Sequence, residues 1–400
     1  MSKTSTIVGP ITIFFVLITL ITIIFPALFS SVFGKFSSNL EPFEVGIIGI
    51  PVVIISSIVL IFGIAYYRKK IPQPIIRTID QIRSYEISQK SVVAILIIIF
   101  GVYIGFSIPE LSLNEFEQFQ DFEVLQESLE IWPDGKSNNP FIEEQNDRYV
   151  RMFLLDTSQE IFHNIKILPF IASIFVVLLT YLLTVQITQK RLSGIIAILV
   201  LLQSQTFLKY DTIAVYENFW ILFYLLSIYV IKKNWFLSPF FYILAFFTKA
   251  FVAPYFVMTL FFAFRTSISR KKKIAILFSY SGIIIIALGV IFAGETLYPE
   301  IVEINPSKFI LGFASFSPLL RFDYLLLTLI LPVVVGLTLL AKNQSKEIDS
   351  ILFLIFGTLI AGPILITFTN FYEILPYRYI PLIIFFAIGI GFFFSKKTNS

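Results

Sequence analysis

Long apolar runs set the pattern along this chain, in place of the scattered stripes that mark soluble helices. A helix needs about 20 apolar residues to cross the hydrocarbon core of a bilayer. On that basis the runs predict twelve spans, near residues 7–29, 44–67, 91–109, 165–188, 192–208, 215–231, 235–248, 250–264, 274–293, 322–341, 351–369 and 377–394. We therefore expect an all-α polytopic membrane protein.

Two of the predicted spans, residues 235–248 and 250–264, are short and separated only by Lys249. They either cross the membrane twice or form a re-entrant hairpin, and both arrangements start and end on the same side. Residues 1–90 are predicted to be a two-helix membrane extension with a basic loop. The remaining domain, residues 91–400, contains one long loop at residues 110–164.

Composition agrees with this class, because 57% of the residues are hydrophobic and only 14% are charged. The absence of cysteine excludes thiolate nucleophiles and cysteine-ligated metals, and a single histidine, His163, excludes multi-histidine metal sites. The net charge of +4 is too close to neutral to indicate a nucleic-acid partner.

The basic residues are distributed unevenly between the two predicted sides of the membrane. If the N-terminus is cytoplasmic, 20 of the 30 lysines and arginines fall in inner loops, together with only four acidic residues. Basic residues in short loops favour the cytoplasmic side. The sequence therefore predicts a multi-pass protein of the cell membrane with both termini in the cytoplasm.

The predicted outer loop, residues 110–164, combines acidic residues with an apolar repeat. Apolar residues recur in it at three- and four-residue steps, which predicts an amphipathic helix on the membrane surface. The apolar face of this helix consists of Phe116, Phe119, Phe122, Leu125, Leu129 and Trp132. Asp121 lies at the border of this stripe, where it would face a cleft between helix and membrane. The alternative is that Asp121 and Glu123 belong to the solvated side of a surface helix.

Four stretches in order resemble the GT-C glycosyltransferases, in particular the protein-mannosyltransferase type. They are residues 121–135 followed by Pro140-Phe141, residues 192–217, residues 244–249 and residues 375–379. The resemblance covers residues 91 to about 400 and implies the GT-C fold, with amphipathic helices in a large first outer loop.

This resemblance implies transfer of a sugar from a polyprenyl-phosphate donor to a glycan, lipid or protein acceptor at the outer face, with inversion at the sugar carbon. Asp121 would be the base that deprotonates the acceptor hydroxyl, and Glu123 is the alternative base. No cofactor is expected. A divalent cation held by Asp121, Glu123 and a further carboxylate is the alternative.

Such a reaction also needs cations that hold the phosphate as it leaves. Lys249, Arg378 and Arg321 are the candidates. Each has a structural alternative: Lys249 would reach from a hairpin tip to the interface, and Arg378 would anchor its span. Arg321 would pair with its neighbour Asp323.

Three further residues are candidates for substrate binding. Glu217 lies where a span begins, so it is either functional or a charge that favours the helix N-terminus. Arg151 would bind phosphate or an acidic sugar, although ion pairing with nearby acids explains it better. Tyr379 is better explained as an interfacial aromatic residue than as a donor.

The main rival is a carrier or lipid flippase, which would also be a bundle with buried charges. Many carriers show repeated halves, and no such repeat is visible in this sequence. A non-catalytic subunit of a membrane complex is a third interpretation, which does not explain Lys249.

Overall fold

The computed structural model describes most of the chain, and most of the described residues are helical. The described residues are 5–28, 41–119, 121–133, 137–139, 141–142, 145, 148–292, 305–316, 320–343, 346–368 and 375–395. No strand occurs among them. The prediction of an all-α protein is confirmed for this part of the chain.

The helices of the first half include both long apolar ones and short ones near the predicted outer loop. In chain order they are α1 (Ser5–Ile24), α2 (Gly49–Tyr67), α3 (Gln73–Ser84), α4 (Gln89–Ser107), α5 (Asp121–Ile131), α6 (Tyr149–Phe162), α7 (Ile167–Thr188), α8 (Arg191–Leu201) and α9 (Gln205–Tyr210).

The second half of the chain contributes eight further helices among the described residues. They are α10 (Phe219–Lys233), α11 (Leu237–Thr248), α12 (Tyr255–Arg265), α13 (Arg270–Phe292), α14 (Ser307–Leu311), α15 (Tyr324–Asn343), α16 (Lys346–Phe368) and α17 (Ile380–Phe392). Short 3₁₀ turns stand at Ile108–Ser112, Ala250–Val252, Gly312–Ser315 and Pro376–Tyr379.

Within the described residues, 6 helical stretches are long and apolar enough to cross a membrane. They are Ile7–Ile24, Gly49–Tyr67, Gln89–Ser112, Ile167–Thr188, Tyr324–Ala341 and Glu347–Phe368. Every predicted span contains a helix, but several are shorter than predicted. At 1.5 Å per residue, α8, α11 and α12 reach only about 16 to 18 Å, well short of the hydrocarbon core. The number twelve therefore stays a prediction.

The predicted span at residues 192–208 is interrupted after Leu201, and α9 begins at Gln205. Asp323 explains the second start. Its carboxylate accepts hydrogen bonds from the hydroxyls of Ser204 and Thr206, and the Thr206 N–H lies 3.5 Å from Oδ1. A carboxylate at a helix start stabilises the unpaired N–H groups there.

By its contacts the chain divides into two compact units. The first comprises residues 1–89, 180–206 and 300–400, and the second comprises residues 90–179 and 207–299. One border between the units falls between residues 89 and 90. The last hundred residues, however, group with the N-terminal part rather than with residues 91–179.

In the first unit α17 is buried along almost its whole length and packs on α8, α15 and α16. Gly391 allows the close approach of α17 and α8, because a Cβ there would lie 2.9 Å from the Ser193 carbonyl oxygen. The N-terminal helix α1 packs on α15 and α16, and the Thr12 hydroxyl donates a hydrogen bond to the Leu352 carbonyl. Helix α1 of the predicted two-helix extension is therefore packed into this unit.

In the second unit α11 is central, since it packs on α6, α10 and α13. The buried faces of α10 and α12 carry large aromatic rings, with Tyr224 and Tyr255 at 4.9 Å between ring centroids. Helix α5 packs on α6 through buried Phe122 and Leu125. This unit holds the residues described next.

The amphipathic helix of the predicted outer loop begins later than expected. It starts at Asp121 rather than near Phe116, because residues 115–119 form a turn whose N–H groups bond to Glu115 O and to the Asn114 side chain. The predicted stripe is correct for Phe122 and Leu125, which are buried, whereas Phe116 is exposed.

Candidate functional site

A buried, non-helical stretch joins α9 to α10 in the second unit, and we name residues 211–218 the connecting segment. Every residue in it is buried. Buried backbone that is not helical needs partners inside the protein for its N–H and C=O groups. Those partners come from charged side chains far away in the sequence.

Glu115 binds the connecting segment through both oxygens of its carboxylate. Oε1 accepts the N–H of Ala214 at 2.8 Å, and Oε2 accepts that of Val215 at 3.1 Å. Lys166 Nζ lies 3.9 Å from Oε1 and also donates to the Glu110 carbonyl at 2.6 Å. Burial raises the pKa of Glu115, although the two N–H groups and Lys166 oppose the rise.

Arg151 and Glu217, both predicted to bind substrate, bind each other. Arg151 Nε donates to Glu217 Oε2 at 2.8 Å, and both side chains are buried. Arg151 Nη2 also donates to the Val215 carbonyl at 2.9 Å. The local ion pairing expected for Arg151 is present, with Glu217 as the partner. Helix α10 begins at Phe219, two residues after Glu217.

Asp211 opens the connecting segment and is 1% exposed. Its Oδ2 accepts the Ser107 hydroxyl at 2.9 Å, and its main-chain carbonyl accepts the Ser173 hydroxyl at 2.6 Å. Burial raises the pKa of Asp211 to about 7, against the lowering effect of the Tyr103 and Ser107 hydroxyls. This carboxyl group can therefore change protonation near neutral pH.

Asp121 is the exposed carboxylate that the connecting segment holds in place. It is the first residue of α5, and its Oδ2 accepts the Tyr216 hydroxyl at 2.8 Å. The Tyr216 ring meets Phe119 edge to face, with 5.1 Å between centroids, and lies 6.0 Å from the Tyr210 ring. Glu123, the alternative base, is exposed on α5. Of the two candidates, Asp121 is the one with a described side-chain anchor.

Lys249 stands between α11 and the short turn Ala250–Val252, with extended backbone. The side chain is buried, at 5% exposure. A lysine at a hairpin tip that reached away from the protein would be exposed, so burial argues against that alternative. A buried ammonium needs compensation by polar or anionic groups.

Arg378, Tyr379 and Arg321 belong to the first unit. Arg378 is half-buried, and its Nε donates to the Tyr377 hydroxyl at 3.2 Å. Tyr379 is fully buried, and its ring lies 4.7 Å from that of Phe316.

Arg321 is exposed and lies over the Phe322 ring, 4.7 Å from its centroid. The pairing predicted between Arg321 and Asp323 is not found among the described ion pairs. Asp323 is buried and binds Ser204 and Thr206 instead. The neighbour in sequence was therefore the wrong partner.

Sequence reasoning missed Glu115, Lys166, Asp211 and Tyr216 as parts of this site. The first two looked like ordinary polar residues beside the apolar runs, because their partners are about 50 to 100 positions away. One signal was present: Asp211 and Glu217 bracket a mostly apolar stretch that is too short to be a helix.

Some predicted elements lie outside the described residues. These are Asp134, Gly135 and Pro140 of the loop motif and Lys3, Lys396 and Lys397 of the inner charge set. His163 is exposed and ends α6 in the left-handed conformation, with φ 53°. In the part of the chain that the structure describes, no three acidic or histidine side chains are grouped as a metal site would require.

A scan against protein-family models finds no match to this chain, and neither a search of curated proteins nor one of solved structures finds a match.

Proposed function

We propose that this chain is an integral-membrane glycosyltransferase of the GT-C type. It moves a sugar from a polyprenyl-phosphate donor to a hydroxyl of a glycan, lipid or protein acceptor at the extracytoplasmic face, with both termini in the cytoplasm. The observation that carries the proposal is Asp121, an exposed carboxylate fixed by the Tyr216 hydroxyl at 2.8 Å beside a cluster of aromatic rings.

The chemistry asks for one positioned base. An acceptor hydroxyl becomes a competent nucleophile when a carboxylate takes its proton as the sugar carbon is attacked. A carboxylate anchored through one oxygen by a phenol keeps a fixed orientation, which lowers the entropy lost on reaching the reactive geometry. Tyr216 is thus a positioning residue for Asp121, since its hydroxyl donates to the Asp121 carboxylate.

The leaving group is a lipid phosphate, and its developing charge needs a cation. Lys249 belongs to the same unit as Asp121 and is buried, so it is the cation that we assign to this role. A phosphate bound beside a buried ammonium lowers the free-energy cost of keeping that charge away from water. Arg378, Arg321 and Tyr379 belong to the other unit, and the proposal does not depend on them.

The test is sugar transfer by the purified protein in nanodiscs, with a panel of polyprenyl-phosphate sugars. We expect Asp121→Asn to lower turnover by about 100-fold to 10,000-fold, the range for loss of a general base. Glu127→Gln, an exposed carboxylate on the same helix, is the matched control and should leave turnover unchanged. Glu123→Gln separates the two candidate bases. Unchanged turnover in Asp121→Asn would overturn the assignment.

A carrier is the second candidate function, and one observation favours it. The connecting segment is a non-helical stretch between α9 and α10, and it contains buried Asp211. Transporters bind coupling ions at interrupted helices that carry buried acidic residues. Proteoliposome uptake that Asp211→Asn abolishes, without any release of sugar from the donor, would support the carrier and contradict the glycosyltransferase.

A further inference from the structure

Helix α3 has an apolar stripe that the described part of the protein covers only in part, since Ile76 and Ile79 are half-buried and Ile75 and Ile82 are exposed. Ile75, Ile76, Ile79 and Ile82 fall within about one third of the helix circumference, at the spacing of one helical face. None of the α3 residues is buried, and Ile75 and Ile82 are 42% and 45% exposed. A stable amphipathic helix of this kind needs an apolar medium on that side.

The charges around this stripe are mostly positive. Residues 68–90 contain six basic side chains and only two acidic ones, Asp80 and Glu86. The basic set is Arg68, Lys69, Lys70, Arg77, Arg83 and Lys90. All are exposed except Arg83, which is half-buried. A partner that fits this helix therefore has an apolar region next to an anionic surface.

The neighbouring helices in the chain identify that partner as a bilayer. Helices α2 and α4 are both candidate spans, and only 17% of each apolar window is buried inside the protein. Their exposed apolar side chains include Ile58 and Ile61 on α2 and Ile97 and Ile98 on α4. Since both chain ends of the α3 region continue into lipid-facing helices, the membrane surface is adjacent to it.

The C-terminal end of α3 is held by residues at the start of α8, while part of its apolar stripe stays exposed. Lys190 Nζ donates to the Ile82 carbonyl at 3.3 Å and to the Arg83 carbonyl. Arg191 Nη1 lies 3.4 Å from the Ile87 carbonyl just beyond the helix. Cations at a helix C-terminus stabilise the unpaired carbonyls there. This anchor restricts the orientation in which α3 can meet a surface.

We propose that α3 and the basic residues beside it bind the surface of a bilayer that contains anionic phospholipid. The isoleucine stripe lies at the boundary between headgroups and acyl chains, and Arg68, Lys69 and Lys70 meet the lipid phosphates. Apolar burial and attraction to anionic headgroups add for such helices. This inference does not depend on the proposed enzymatic function.

The chain contains no cysteine, so single labels can be placed in the full-length protein. Ile75→Cys puts a fluorophore on the apolar stripe, and Gln81→Cys puts one on the polar side of the same helix. In nanodiscs that contain phosphatidylglycerol, we expect brominated lipid to quench the first label and aqueous iodide to quench the second. Both positions are exposed, so neither substitution disturbs a core.

Electrostatics supplies the second readout. Replacing phosphatidylglycerol by phosphatidylcholine, or raising the salt, should lower lipid quenching at the Ile75→Cys label. In the triple variant Arg68→Gln, Lys69→Gln, Lys70→Gln, lipid quenching should no longer depend on lipid charge. We expect each cation removed to lower the ratio of membrane-bound to exposed α3 by about fivefold.

Two results would overturn the proposal. One is equal access of iodide to the Ile75→Cys and Gln81→Cys labels in anionic nanodiscs. The other is an Ile75→Cys label protected from iodide but not quenched by brominated lipid, which would assign the stripe to a protein partner. Quenching by lipid that does not change with lipid charge would contradict the role of the basic residues.

Discussion

At the scale of single residues, buried charges in the second unit are compensated by specific partners. Arg151 binds Glu217 and a main-chain carbonyl, and Glu115 binds two main-chain N–H groups near Lys166. Removing a charge from water costs several kcal/mol, so one partner without the other would destabilise the fold. Asp211 differs, because hydroxyl groups surround it and burial has raised its pKa.

Asp211 predicts a pH dependence of stability. Its pKa rises from 3.8 in the unfolded chain to about 7 in the folded protein. Between these values the folded state holds a proton that the unfolded state has released. The free energy of unfolding therefore falls as pH rises through this interval and levels off above it.

Thermal unfolding in detergent micelles at several pH values between about 4 and 8 measures this effect. We expect Asp211→Asn to flatten the pH dependence relative to the wild type, since its amide does not ionise. Glu160→Gln, an exposed acid on α6, is the control and should keep the wild-type slope. An equal slope in Asp211→Asn and the wild type would refute the assignment.

At the scale of elements, the connecting segment shows how a non-helical stretch is kept inside a helical protein. Its backbone groups bond to side chains from the 115–119 turn, from α6 and from α7. The same turn delays the start of α5 to Asp121, because Glu115 points to the segment instead of joining a longer helix. Local periodicity alone predicted the longer helix.

Glu115 should therefore stabilise this element more than its exposed neighbour Glu117 does. In Glu115→Gln one N–H of the segment would face an amide NH₂ group and lose its acceptor. We expect the free energy of unfolding to fall by about 1 to 3 kcal/mol.

Hydrogen exchange resolved to residues 211–218 gives a local readout, because the Ala214 and Val215 amides should exchange faster in Glu115→Gln. Glu117→Gln, two residues away, is the matched control. Equal exchange in the two variants would show that the carboxylate does not hold the segment.

At the scale of the whole molecule, the division into units does not follow the order of the chain. Residues 180–206 and 300–400 group with residues 1–89, so the last spans complete the unit that the first ones begin. Packing of α1 on α15 and α16 decides this grouping. Because the apolar runs are similar in composition, the sequence does not indicate which helices pack on one another.

The predicted topology places the 110–164 loop outside and the loop after α12 inside. Ser112→Cys and Ser269→Cys are exposed positions in these two loops. In intact cells we expect a membrane-impermeant maleimide to label Ser112→Cys at once and Ser269→Cys only after permeabilisation. Labelling of both from the same side would require an even number of crossings between them, against the five that the sequence predicts.

The sequence by itself determined the class of this protein and the places where its long apolar helices form. Lengths of apolar runs decide membrane insertion and helix position because both depend on local composition and on the bilayer thickness. It also indicated Asp121, Arg151 and Glu217 as candidate site residues.

Only the tertiary structure decided the partners of the charged residues. Arg151 and Glu217 are 66 positions apart, and Tyr216 is 95 positions from Asp121. Side-chain pairing at such separations depends on how helices pack, and helices of uniform apolar composition admit many packings. The sequence offered pairing with Asp323, two positions away, as the structural alternative for Arg321, whereas packing brought Asp323 to Ser204 and Thr206.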